Sequence, residues 1–184
     1  ADSKKQALAP YMKALIGPWW ISLSDPCTEV ANAAERAFSV AIPPKKVPSV
    51  LEFLSSSILA RIYFVFDSAA PSSGSEDEKV EAEEAYIRQF KSAVAAFKRL
   101  LDKLTWKGLR TIAKGVSVPP AGILNVPKVD ISTKRHGDSA TILLADLLRR
   151  KFLSEKLKDP LLRGHTLELL AGVFELVRAK EREQ

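Results

Sequence analysis

Few side chains in this sequence are of the kinds that carry out reactions, and their spacing argues against most of them. His136, His165 and Cys27 are the only imidazole and thiolate donors in 184 residues. A structural zinc site draws on four such groups, so the composition argues against a zinc finger. One cysteine permits no internal disulfide, which suits a reducing compartment. Ser55-Ser56-Ser57 lies in an apolar helical run, without a nearby histidine or the glycines of a nucleophile elbow. Glu83-Glu84 falls on a charged helix face, where solvated carboxylates are expected rather than an acid–base pair. His165 precedes Glu168 by three residues, a pair expected at the surface or the core edge. No glycine-rich loop could cradle a phosphate. No catalytic, cofactor-binding or metal-ligating residue is expected.

What remains is positive charge. The candidates for binding a macromolecule are Lys45-Lys46 at a corner between helices, Lys134-Arg135-His136 in a long loop, and Arg149-Arg150-Lys151 on a helix surface. Such groups neutralise RNA phosphates in a salt-sensitive way that ignores sequence; solvated faces of charged helices give the same composition. The net charge of +6 is unevenly placed, with 15 basic and 9 acidic residues in 105–184. That asymmetry suits an acidic partner such as RNA.

The elements that must position these residues read as helices throughout. Asp2 or Ser3 caps a first helix to about Ile16, with Gly17-Pro18 as its stop. Trp19-Trp20-Ile21 forms an apolar turn, with both tryptophans expected to pack inward rather than serve as contact aromatics. Asp25-Pro26 restarts the chain, the carboxylate as N-cap and the proline at the first helical position. The helix that follows carries Val30, Ala33, Ala34, Ala37, Phe38 and Ala41, small residues that suit close helix contact, and Pro43-Pro44 ends it. A long apolar helix from Pro48 to about Phe66 should be covered on more than one side. Residues 68–77 read as a flexible linker. Ile87, Phe90, Val94, Phe97, Leu101 and Leu104 then step by three and four along one helix face. Thr105 caps a short helix through Ile112, 115–137 is a long aperiodic loop, and Asp138 or Ser139 opens another helix. Asp159-Pro160 starts the last one, with Leu162, Thr166, Leu169, Val173 and Leu176 inward. The fold class is all-α, in a single domain, 1–184. The first apolar stretch is interrupted by Pro10, Lys13 and Gly17-Pro18, and the run Ile58 to Phe66 is about half what a membrane span needs. A soluble, intracellular protein is expected.

The two Asp-Pro openings, at Asp25-Pro26 and Asp159-Pro160, resemble the HEAT pattern, in which the second helix of a hairpin starts at Asp-Pro and lines a concave surface. Gly17-Pro18-Trp19-Trp20, Asp25-Pro26, Val30-Ala31, Ala33-Ala34, Phe38, Ala41 and Pro43 together resemble the opening of Listerin-type RING E3 ubiquitin ligases. The similarity is most specific over 1–60 and looser over 75–104 and 150–177. Residues 105–149 match poorly, and Leu153 stands where relatives usually have an aromatic. The resemblance implies a ubiquitin ligase of ribosome-associated quality control whose zinc-binding RING lies at the far C-terminus. This chain would then be a HEAT/ARM-like helical-repeat stack, a fragment of a longer protein, forming a non-catalytic, monomeric domain without a cofactor. It would dock in the cytosol on the stalled large ribosomal subunit, near the sarcin–ricin loop, beside a NEMF-type nascent-chain-sensing partner. Neither a membrane nor a small-molecule substrate is implied. The alternative is a generic HEAT adaptor that binds only protein.

Overall fold

The computed structural model describes residues 9–68, 75–104 and 158–182, together with Gly108 and Lys156. Among these every regular element is a helix, as the sequence predicts. A 3-10 turn, Ala9–Tyr11, leads into α1, Met12–Ser22. The expected stop at Gly17-Pro18 does not occur, for α1 runs through both and takes in Trp19, Trp20 and Ile21. Pro18 removes the amide that would bond the Ala14 carbonyl, but Ala14 and Pro18 are both exposed, so water can serve it. Gly17 lacks the Cβ that would meet the following proline ring in a helical conformation. The start expected at Asp2 or Ser3 lies outside the described residues.

A second correction concerns Asp25. The next helix, α2, is Thr28–Ala41, and its N-cap is Cys27. Asp25 Oδ1 accepts from the Cys27 amide at 2.8 Å and from Arg88 Nη2 at 2.7 Å. The carboxylate is thus engaged in a local turn and a long-range ion pair, ahead of the helix rather than capping it. Ala34, Phe38 and Ala41 pack against the core while Ala33 and Ala37 are exposed, so part of the alanine-rich helix makes the contact expected of it. The helix ends before Pro43-Pro44 as expected.

After a 3-10 turn, Pro44–Lys46, α3 spans Val47–Asp67. Leu51, Ile58, Ile62 and Phe66 are completely buried. Cover is nonetheless incomplete, because Phe53 and Phe64 are 73% and 59% exposed. Over Pro44–Asp67 the chain is long and apolar enough, by length and composition, to cross a membrane, longer than the expected short run. Half of that window is buried within the protein, as suits a core helix.

The longest helix, α4, is Glu76–Lys103. Ser75 and Glu78 form a reciprocal capping box at its start, and Glu76, Asp77 and Glu78 complement the positive end of the helix dipole. Glu76 and Asp77 therefore belong to the helix rather than to a linker. Phe90, Val94, Phe97, Leu101 and Leu104 are buried along the predicted stripe. The last described helix, α5, is Pro160–Arg182. Here the expected Asp-Pro start holds: Asp159 Oδ1 accepts from the Leu161 amide at 2.9 Å, and its carbonyl accepts from Arg163. Leu162, Thr166, Leu169 and Val173 are fully buried, and the Thr166 hydroxyl donates to the Leu162 carbonyl. The expected helices at Thr105–Ile112 and after Asp138, and the 115–137 loop, lie outside the described residues, Gly108 excepted.

Contacts between helices give their directions. Tyr63 meets Phe97 while Phe66 meets Phe90, so α3 and α4 are antiparallel. Lys13 reaches Phe53, and Gly17 abuts Ser57 and Arg61, so α1 and α3 run in the same sense. Tyr86 lies beside Lys156 while Lys98 bonds Glu168, so α4 and the chain through α5 are also parallel. Antiparallel partners within a hairpin and parallel equivalents between hairpins are the relation that stacked helical repeats require.

Candidate docking surface

The tryptophans are fasteners of the fold. Trp20 is 2% exposed, and its indole N–H donates to the Ala96 carbonyl at 2.9 Å, tying α1 to the C-terminal half of α4. Trp19 is half-buried, donates to the Ala34 carbonyl and packs edge-on to Phe38. Arg99 completes this junction. Its guanidinium lies over the Trp20 ring, donates to the Leu23 carbonyl and pairs with Glu35 at 2.7 Å. Both tryptophans thus hold α1 and α2 against α4, the inward packing expected of them.

A second junction forms around the carbonyl of Ser68, where α3 ends. It accepts from the Tyr86 hydroxyl at 3.0 Å and from Lys156 Nζ at 2.8 Å, while the Lys156 ammonium lies over the Tyr86 ring. Burial, and then the negative charge of Asp159, push the Tyr86 phenol up to about 12. On the α4–α5 seam, Gly172 gives room for the Lys98 stem, whose ammonium bonds Glu168 at 3.1 Å. That hydrogen bond holds the Glu168 carboxyl below its ordinary range, and His165 lies 3.8 Å from the other oxygen. His165 and Glu168 are thus a core-edge pair, as expected. Ser55 is buried and satisfied by the Glu52 carbonyl, and Glu83 and Glu84 are exposed.

Of the predicted basic clusters, Lys45 and Lys46 are described. Both are exposed in the turn Pro44–Lys46, directly ahead of α3. Two cations at a helix N-terminus oppose the helix dipole, so local stability does not explain them. Neither has a carboxylate partner among the described residues. The Val47 amide is spent on the Pro44 carbonyl and Pro48 has none, so it is the two ammonium groups that present a positive corner suited to an anion. Lys134, Arg135, His136, Arg149, Arg150 and Lys151 lie outside the described residues. No group of three or more His, Cys, Asp or Glu side chains is placed to hold a metal ion among the described residues.

Sequence reasoning misses the outer face of α3. Phe53, Ala60 and Phe64 recur at intervals of seven and four, so they share one face, turned away from the stripe that packs inward. The signal is present in the sequence, since two phenylalanines fall outside the core register, but their spacing equally suits a wider buried stripe.

Comparison with known proteins gives this helical body its family. The family described as E3 ubiquitin-protein ligase listerin, N-terminal domain, matches residues 1–178, nearly the whole chain. The chain belongs to that listerin family. Listerin of Gallus gallus is 32% identical over 111 residues, 59% of this chain and 6% of the relative. Listerin of Xenopus tropicalis is 32% identical over 103 residues (54% of this chain), and that of Mus musculus 32% over 100 residues (53%). Each of these relatives bears the name E3 ubiquitin-protein ligase, and the matched stretch spans about 6% of its length. No solved structure matches the chain.

Proposed function

We propose that this listerin-family domain is a non-catalytic docking module of an E3 ubiquitin ligase of ribosome-associated quality control. It binds the stalled large ribosomal subunit and a NEMF-type partner, so that a distant zinc-binding RING can ubiquitinate the nascent chain. The observation that carries this reading is the family match over residues 1–178. In the relatives named as ubiquitin ligases the matched stretch is only 6% of the protein, which leaves ample chain for a separate catalytic domain. The positive corner at Lys45 and Lys46 supports the ribosomal half of the reading. RNA phosphates are the anion such a corner fits, and they would act by position and charge rather than by base sequence. Lys134, Arg135, His136, Arg149, Arg150 and Lys151 remain candidates for the same contact. Monomeric, cytosolic, ribosome-associated action belongs to this reading.

The test is sedimentation of the purified chain with large subunits, with and without the NEMF-type factor. Co-sedimentation that strengthens with the factor is expected. A folded chain that stays in the supernatant in dilute salt, with the factor present, would leave the generic protein-only adaptor as the better account.

A further inference from the structure

Between α1 and α3 the exterior carries a feature that phosphate docking does not use. Lys13 Nζ lies 5.6 Å from the centre of the Phe53 ring, and the Arg61 guanidinium lies 4.9 Å from that of Phe64. The two rings are eleven residues apart on one helix face, about 16 Å along the axis, with exposed Ala60 between them. From α1, Lys13 reaches across to this strip, and Gly17 sits close against Ser57 and Arg61. The result is a shallow apolar groove bordered by two cations. Large exposed aromatics in one strip are unusual on a surface that faces only water.

Neither cation has a carboxylate partner among the described residues, and Arg61 Nε is buried without an acceptor there. Arg99, by contrast, meets Glu35, and Arg88 meets Asp25. Both groove cations rest on ring faces instead. A carboxylate brought to either would complete a stronger pair, and an apolar side chain laid between the rings would remove them from water.

We infer that this α1–α3 groove, lined by Lys13, Phe53, Ala60, Arg61 and Phe64, docks an amphipathic acidic helix of a protein partner. Its leucine-like side chains seat between Phe53 and Phe64, and its carboxylates pair with Lys13 and Arg61. The spacing fits three turns of a helix, the length over which anchors at successive turns engage a groove. A nucleic acid fits less well. One face of each ring is already covered by a cation, which limits base stacking, and the strip is mostly apolar where a phosphate-tracking surface is dense in cations.

The Lys45-Lys46 corner lies at the start of the same helix, about 10 Å along its axis from Phe53, and Lys45→Glu with Lys46→Glu, which leaves both rings in place, distinguishes failure of one proposal from failure of the other. The test uses fluorescence anisotropy of the 184-residue chain with a labelled helical peptide of about five turns, bearing leucines at helical spacing flanked by glutamates. Controls are the same peptide with lysines for glutamates, and a labelled oligouridine. The acidic peptide should bind saturably, and Phe53→Ser with Phe64→Ser should weaken it about tenfold or more. Lys13→Glu should weaken the acidic peptide and strengthen the lysine peptide, a reversal that a merely unfolded variant would not show. The substituted positions are exposed, and unchanged far-UV circular dichroism checks that the variants fold. No saturable binding of the acidic peptide, binding indifferent to Phe53 and Phe64, or oligouridine binding abolished in the same variants would each overturn the inference.

Discussion

A Cβ added at Gly17 would stand 2.6 Å from Arg61 Cβ and 3.2 Å from the Ser57 carbonyl oxygen. These are backbone and near-backbone atoms, which cannot swing aside, so α1 and α3 would have to separate. Gly17→Ala should therefore destabilise the domain by about 1–3 kcal/mol, as overpacking does. A lower urea midpoint with an unchanged slope is the expected reading, and an unchanged midpoint would mean that the helices do not approach so closely. Tyr86 supplies a prediction in pH. Its folded pKa, about 12, exceeds the unfolded value near 10. Its contribution is thus fully present below pH 10 and disappears as the pH rises through 12. The stability difference between the protein and Tyr86→Phe should shrink over that interval; a difference that stays flat would contradict the assignment. At this scale the sequence is only half legible. Trp19 and Trp20 can be read as inward because two adjacent large apolar residues on a helix must meet neighbours. The fate of Asp25 cannot, because Arg88, 63 residues away, claims its carboxylate.

Among the helices, α4 shows most directly how local sequence sets an element's ends. Ser75 accepts from the Glu78 amide, and the Glu78 carboxylate accepts from the Ser75 amide at 2.8 Å and from its hydroxyl. Ser75→Ala should cost about 1 kcal/mol, measured by urea unfolding near neutral pH. The backbone hydrogen bond from Ser75, more than its hydroxyl, holds the Glu78 carboxyl below its ordinary range. Its share of stability is therefore present above the unfolded value and disappears as the pH falls through the depressed folded one. A carboxyl resonance for Glu78 that titrates at or above the usual glutamate value would refute the box. The stripes of α3 and α4 are visible as spacing alone, because period-3.6 burial requires only one covered side. The passage of α1 through Gly17-Pro18 is not visible, since the hydrogen bond that proline forgoes matters less on a solvated face. Nor is the exposure of Phe53 and Phe64, for residue type does not reveal which side of an apolar helix lacks a neighbour.

For the whole molecule, parallel α1 and α3, antiparallel α3 and α4, and parallel α4 and α5 make a stack. Side-chain junctions at Arg99 and at the Ser68 carbonyl fasten helix to helix. The proposed docking depends on where charge and apolar area meet water. Charge asymmetry is legible from the count of Lys and Arg, whereas the placement of Lys45 and Lys46 against the α3 N-terminus requires the folded chain. The central claim is ribosomal docking through phosphate contacts, and its most direct test is the salt dependence of affinity for purified large subunits. Binding should weaken steeply as salt rises. Lys45→Glu with Lys46→Glu should both lower affinity and flatten the log–log slope by roughly 0.7–0.9 for each phosphate no longer neutralised. Affinity that is independent of salt, or a slope identical in the double variant, would contradict it.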